Sequence, residues 1–278
     1  MKNINIEKVH QKVCSLLLKT QKLLLDNLSK PQKMKIFSKG TGGKVTDVDV
    51  WLEKILHKSL NEIIDTQSII GEESSFLQDE QVEVSVDGWT WIIDPIDGTN
   101  NFISGLDYFA TVIALAYKQR IVAGWVFNPM KGDLFWAIKG EGAFYLNIFS
   151  SKVTWRLNNK RKTTILEDAL LATTNFRSSS KKVMKRNFND FEILSQYCRA
   201  TRKMGSAALD LCCCAQGLID GFWQKGLKIW DVAAPALICQ EAGLKVTDYD
   251  GQDFNVFQNS IVVAPKKLHS QMLKKLQH

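Results

Sequence analysis

Between Trp89 and Phe102 the chain reads Trp-Thr-Trp-Ile-Ile-Asp-Pro-Ile-Asp-Gly-Thr-Asn-Asn-Phe, an apolar run that ends in two carboxylates. Two tryptophans and two isoleucines in quick succession predict a buried strand. Only Pro95 and Ile96 separate Asp94 from Asp97, and Gly98-Thr99 then opens what reads as the first turn of a helix. Two like charges about 4 Å apart repel by roughly 4 kcal/mol at an effective dielectric of about 20. A divalent cation is the usual remedy, and ligands that are all oxygen favour a hard one such as Mg²⁺. The stretch therefore predicts a metal-assisted site at the carboxyl end of a strand.

The 278 residues are 45% hydrophobic and 23% charged, enough to bury one large core or two intimately packed halves. Lys+Arg 36 against Asp+Glu 29 gives a net charge of +7. The excess is diffuse, with small clusters such as Lys181-Lys182 and Lys274-Lys275, and suits a solvated surface better than a nucleic-acid patch. Six cysteines include the triple Cys212-Cys213-Cys214 inside an apolar run, and none has zinc-knuckle spacing. Successive helical residues point in different directions, so the triple predicts buried, reduced thiols rather than a metal site. Met1 to Glu7 is polar and mixed in charge, unlike a secretory signal. No apolar run approaches the roughly 18 residues of a membrane span. A cytoplasmic protein without membrane attachment is the expectation.

In chain order, Ile4 to Leu28 has the apolar spacing of an amphipathic helix, with Pro31 just beyond it. A flexible loop follows at Gly40-Thr41-Gly42-Gly43, bracketed by Lys39 and Lys44. Thr46 or Asp47 predicts the N-cap of a second helix, with Asp49 in its first turn. Ser68 to Gly71 is a short apolar strand ending in Glu72 and Glu73, the same grammar as the Trp89 stretch. Residues 74–87 read as an exposed polar excursion. Strands are expected at Tyr108–Tyr117, Ile121–Phe127 and Asp133–Ile138, and an irregular crossing at Phe149–Asp168. A strand at Ala169–Thr173, helices at Phe188–Cys198 and Gly205–Gly217, and a strand at Ile219–Trp223 follow. An apolar helix at Val232–Ala242, a strand pair at Lys245–Asp248 and Ile261–Ala264, and a helix at Lys266–Leu276 close the chain. The mixture predicts layered α and β structure.

Three pieces, Gly71-Glu72-Glu73-Ser74, Asp94-Pro95-Ile96-Asp97-Gly98-Thr99 and Trp230-Asp231-Val232-Ala233-Ala234, occur in that order at wide spacing. Together they resemble the inositol monophosphatase family of magnesium-dependent, lithium-sensitive phosphatases, from about Ile6 to the final helix. Arg202 to Leu211 resembles the bacterial branch of inositol-1-monophosphatases. The resemblance implies a five-layered αβαβα sandwich of the inositol monophosphatase and fructose-1,6-bisphosphatase type. It would form one unit over 1–278, in two packed halves of about 1–150 and 151–278, and assemble as a homodimer. It implies two or three Mg²⁺ ions. Glu72, Asp94 and the Ile96 carbonyl would hold one, Asp94, Asp97 and Asp231 a second, and Glu72 with waters a third. Glu72 and Thr99 would orient the attacking water, with Asp49 polarising the Thr99 hydroxyl. Gly98 and Thr99 would receive the phosphate at the start of a helix, beside Asp97 and Asp231. Gly205, Ser206, Ala207 and Gln224 would read the polyol.

The resemblance implies hydrolysis of a phosphorylated polyol, foremost myo-inositol 1-phosphate, without a covalent intermediate. Animal members carry a glutamate near Gln224 that contacts ring hydroxyls and whose charge Gln224 lacks, Asn100 replaces a common threonine, and Pro235-Ala236 fall where many members have glycine. These departures leave histidinol phosphate, fructose 1,6-bisphosphate and 3′-phosphoadenosine nucleotides open as substrates. A reading of another class is contact with the transcription machinery, as in some bacterial relatives, with catalysis secondary. No RNA-binding motif supports it.

Overall fold

The structure is a computed structural model that describes residues 4–28, 34–39, 43–66, 68–78, 84–150, 153–158, 163–174 and 180–277. Helix α1 (Ile6–Leu28) turns Val9, Val13, Leu16, Leu17 and Leu24 inward, as its apolar spacing dictates. Pro31 and Gly40–Gly42 lie outside the described residues. A small hairpin, β1 (Ile36–Ser38) and β2 (Lys44–Thr46), leads into α2 (Asp47–Ile63). Thr46 is the N-cap of α2 in a capping box with Asp49. Strand β3 (Ser68–Gly71) is followed at once by α3 (Glu72–Gln78). The expected excursion therefore starts as helix, because Glu53 supplies from another element the cap that local sequence lacks. Its carboxylate accepts the backbone N–H of Glu73 at 2.7 Å and of Ser74 at 2.8 Å.

Strand β4 (Trp89–Asp97) runs to the second acid of the motif, and α4 (Thr99–Ile103) begins two residues on. The antiparallel strands β5 (Ala110–Tyr117), β6 (Arg120–Asn128), β7 (Asp133–Ile138), β8 (Gly142–Asn147) and β9 (Trp155–Leu157) follow. They extend β3 and β4 into a seven-stranded sheet in chain order, with β3–β4 its parallel pair. The segment expected as an irregular crossing thus contributes β9 to this sheet. Beyond it lie β10 (Leu170–Ala172), α5 (Lys181–Tyr197), β11 (Ala200–Arg202), α6 (Ala207–Gln216), β12 (Gly221–Lys225) and α7 (Ile229–Glu241). Strands β13 (Lys245–Thr247) and β14 (Ser260–Ala264) and helix α8 (Lys266–Leu276) complete the chain. The second sheet has the order β11-β10-β12-β14-β13. Helix α5 starts seven residues before its apolar signal, because the Ser180 side chain caps Val183 N–H ahead of a polar first turn. Helix α7 starts at Ile229, so Asp231 lies inside it as the third residue.

The packing gives five layers, with the seven-stranded sheet between the α1/α2 and α6/α7 layers and the second sheet between α6/α7 and α5/α8. Strand β4 shows why: Trp91 and Ile93 join the core under α1 and α2, while Ile92 faces α7. Strand β5 presents Ala110, Val112, Ala114 and Ala116 to α7, and Ile113 and Leu115 to the other face. Small residues let α7 approach closely. A Cβ on Gly124 would stand 2.7 Å from the Ala234 Cα. All six cysteines are free thiols, with Cys212, Cys214 and Cys239 buried and Cys14, Cys198 and Cys213 half-buried. Among the described residues no helix is long and apolar enough to cross a membrane.

Candidate active site

Strand β4 delivers Asp94 and Asp97 to one end of the large sheet, and the first turn of α7 brings Asp231 from the far half. Carboxylate oxygens of all three lie within 4.8 Å of one another. One oxygen of each is already held by local donors. Asp94 Oδ1 accepts Ile96 N–H at 3.0 Å, Asp97 Oδ2 accepts Ser206 Oγ–H at 2.5 Å and Ala208 N–H at 2.7 Å, and Asp231 Oδ2 accepts Lys228 N–H at 2.7 Å. These bonds fix the carboxylates while leaving their charges close together. Burial, then the neighbouring acids, raise Asp94 and Asp231 well above the usual carboxylate range. Asp97 is pushed up to about 6, burial outweighing its bonds to Ser206 and Ala208. Three fixed, mutually repelling carboxylates are a donor set short of positive charge, and an oxygen-seeking divalent cation fits it.

Asp49 and Thr99 meet beside this triad. The Thr99 hydroxyl lies 3.3 Å from Asp49 Oδ1 and 3.1 Å from the Ile96 carbonyl oxygen, so its hydrogen is shared between two acceptors. Asp49 Oδ2 accepts the Thr46 N–H at 2.9 Å and also the Thr46 hydroxyl. Burial raises Asp49 to about 6, against the lowering effect of Thr46. Gly98 precedes α4 with φ of 96°, a left-handed conformation natural to glycine. Its missing Cβ would stand 3.2 Å from the carbonyl oxygens of Gly205 and Tyr108.

Glu72, the first residue of α3, is not among the three converging acids. Its Oε1 accepts the Lys39 ammonium at 2.8 Å, and the same ammonium reaches Glu73 Oε1 at 2.7 Å. Burial alone would lower the lysine, but the two carboxylates outweigh it and raise it. Glu73 is pushed up to about 8 by burial and by Glu72, despite Lys39.

The residues expected to read the polyol divide. Gly205 is exposed beside the motif with φ of 94°. Ser206 and Ala207 are buried. The Ser206 hydroxyl is committed to Asp97 and to capping α6. Gln224 is also buried, its Oε1 accepting Thr173 Oγ–H at 2.6 Å and Thr174 N–H at 3.1 Å. Several partners had no local signal. The Asn101 amide donates to the Tyr108 carbonyl at 2.7 Å and the Met204 carbonyl at 2.8 Å. Tyr108 donates its hydroxyl to the buried Asp210 at 2.8 Å. Lys39, Glu53 and Glu73 were visible only as ordinary charged residues.

A five-layered α/β protein whose three converging acids suit a divalent cation has the parts that metal-assisted phosphate-ester hydrolysis needs. The chain belongs to the inositol monophosphatase family, whose model matches residues 5–278, and it is a phosphomonoesterase. It is 35% identical to the inositol-1-monophosphatase of Caulobacter vibrioides over 246 residues, 88% of this chain and 91% of the relative. It is 34% identical to the Nus factor SuhB of Haemophilus influenzae over 258 residues, 93% of this chain and 91% of the relative. The crystal structure of the extragenic suppressor protein suhB from Bartonella henselae has the same fold. Its TM-score is 0.82 at 28% identity, with 97% of this chain and 98% of that one covered.

Proposed function

We propose that this chain is a Mg²⁺-dependent phosphatase of phosphorylated polyols, with myo-inositol 1-phosphate the foremost substrate. The observation that carries it is the convergence of Asp94, Asp97 and Asp231 beside the Asp49–Thr99 pair. Asp94, Asp97 and Asp231 would hold the metal, joined by Glu72 and the Ile96 carbonyl, in a site for two or three ions. Mg²⁺ there supplies charge for the phosphate and leaving oxygen, and makes water acidic enough to attack near neutral pH. The protein's own part is positioning, which dominates phosphoryl transfer. Asp49 draws the Thr99 hydroxyl hydrogen toward itself, so the oxygen's lone pairs remain available to align an attacking water. Glu72 is the second acceptor for that water. Backbone N–H groups of Gly98 and Thr99 receive the phosphate, which glycine lets approach closely. The exposed Gly205 backbone and the Thr173–Thr174 segment after β10, braced by Gln224, shape the polyol side. The two halves act as one unit over residues 1–278, paired as a homodimer and inhibited by lithium.

The test is hydrolysis across inositol 1-phosphate, histidinol phosphate, fructose 1,6-bisphosphate and 3′-phosphoadenosine nucleotides, with Mg²⁺, with lithium and with chelator. Mg²⁺-dependent release of phosphate, fastest from inositol 1-phosphate, is expected. Asp94→Asn is expected to lower turnover by about 10³-fold and leave the circular dichroism spectrum unchanged. Full activity in chelator or in that variant overturns the metal reading, and a different preferred ester overturns only the substrate. Relatives named Nus factor SuhB motivate a second reading, contact with the transcription machinery. An Asp94→Asn variant that keeps its cellular role would favour it over catalysis.

A further inference from the structure

The ammonium of Lys39 is buried between two carboxylates that are not equivalent. The Lys39 and Glu73 side chains are 3% and 5% exposed, whereas that of Glu72 is 23% exposed. Glu73 is fixed from behind, because its backbone N–H is tied to Glu53. Glu72 is the more exposed partner, and its charge still acts on Asp94, Asp97 and Asp231. Yet the group of acids within 4.8 Å of one another contains those three and not Glu72. Lys39 itself comes from the β1–β2 hairpin, where its N–H donates to the Gly43 carbonyl at 2.9 Å. All three residues of β1 are exposed, so on that side of the hairpin the lysine is the first deep contact with the site, as the buried Thr46 of β2 is on the other.

We propose that Lys39 is the internal counter-cation of the metal-free site, a positioning residue that holds Glu72 off the aspartate triad until a divalent cation competes for it. The proposal rests on the reading of Glu72 as a metal ligand. Occupancy at Glu72 is then an exchange of one cation for another. The exchange is feasible because Glu73 keeps the ammonium paired when Glu72 leaves it. A buried ammonium with no partner would be costly. It also couples the hairpin to the metal, since Lys39 loses its bond to Glu72 when the ion binds.

The experiment is Mn²⁺ titration of the full chain without substrate, followed by the electron paramagnetic resonance of the free ion, in wild type, Lys39→Met and Glu73→Gln. Lys39→Met should bind its weakest Mn²⁺ about tenfold more tightly, the effect of removing one partly screened charge. It should also melt lower without metal. Glu73→Gln, which removes the carboxylate that shares the ammonium with Glu72, should bind that ion more weakly. Mg²⁺ should alter amide hydrogen exchange at residues 36–39 and 43–46 in wild type and leave it unchanged in Lys39→Met. Equal or weaker Mn²⁺ binding in Lys39→Met overturns the proposal, as does an unresponsive hairpin in wild type. Wild type that binds no Mn²⁺ overturns the metal reading itself. Should Lys39→Met not fold, Lys39→Gln takes its place, and the opposite shift in Glu73→Gln still decides.

Discussion

Asp49, Asp97 and Glu73 carry carboxyls that the folded chain holds above their ordinary values. Asp49 and Asp97 rise from 3.8 to about 6, and Glu73 from 4.5 to about 8, each chiefly through burial. A carboxyl with a raised folded pKa binds its proton more firmly folded than unfolded. Its folding stability is therefore complete below the unfolded value and declines as pH rises through the folded one. The metal-free protein should melt progressively lower between about pH 4 and about pH 8. Added Mg²⁺ should recover more stability at the upper end of that window, because the cation offsets charges that are present only there. Differential scanning calorimetry in chelator and in Mg²⁺ checks this. A flat profile in chelator, or an equal Mg²⁺ gain at pH 5 and pH 8, would count against it.

Two helices of the site are held by residues of other elements. Helix α3 starts where it does because Glu53 of α2 caps it, and that contact needs Gly71. A Cβ at Gly71 would stand 2.4 Å from the Glu53 carboxyl carbon. Gly71→Ala should destabilise by about 1–3 kcal/mol and lower turnover, since Glu72 is carried on the same turn. Urea denaturation with Mg²⁺-dependent kinetics measures both. Loss of stability with wild-type turnover would show that Glu72 does not need its cap. Helix α6 is tied similarly, its first turn donating to Asp97 from the opposite half. Ser206 was legible as a polar residue near the polyol, but its hydroxyl belongs to the acid.

At the scale of the molecule, the site lies where the large sheet meets the α6/α7 layer, and side-chain bonds tie the two together. Asn101 uses both amide hydrogens there, on Tyr108 and Met204, and so sets the 204–206 loop against the motif. Asn101→Ala should cost about 1–3 kcal/mol through two unpaired carbonyls and lower kcat/KM by about tenfold while metal affinity holds. Calorimetric metal titration beside steady-state kinetics tests it. A parallel loss of metal affinity would place Asn101 within the metal site instead. Layer spacing is set at Gly124, where α7 approaches too closely for any side chain.

Much of the architecture was legible because the signals are local. The apolar period of Ile6–Leu28, the strand that ends in Asp94 and Asp97, and the terminal helix at Lys266–Leu276 all follow from side-chain alternation and caps. The family motifs supplied Asp231 across more than a hundred residues of chain. What local sequence could not carry was pairing at a distance. The early start of α3 depends on Glu53, and the buried roles of Ser206 and Gln224 depend on Asp97 and Thr173. Nothing near Lys39 announces a buried cation between two glutamates. The sequence by itself determined which acids the chain carries and the order of its helices and strands, since both rest on neighbours along the backbone. Only the tertiary structure decided which charges face one another, because burial and proximity between distant segments set their energies.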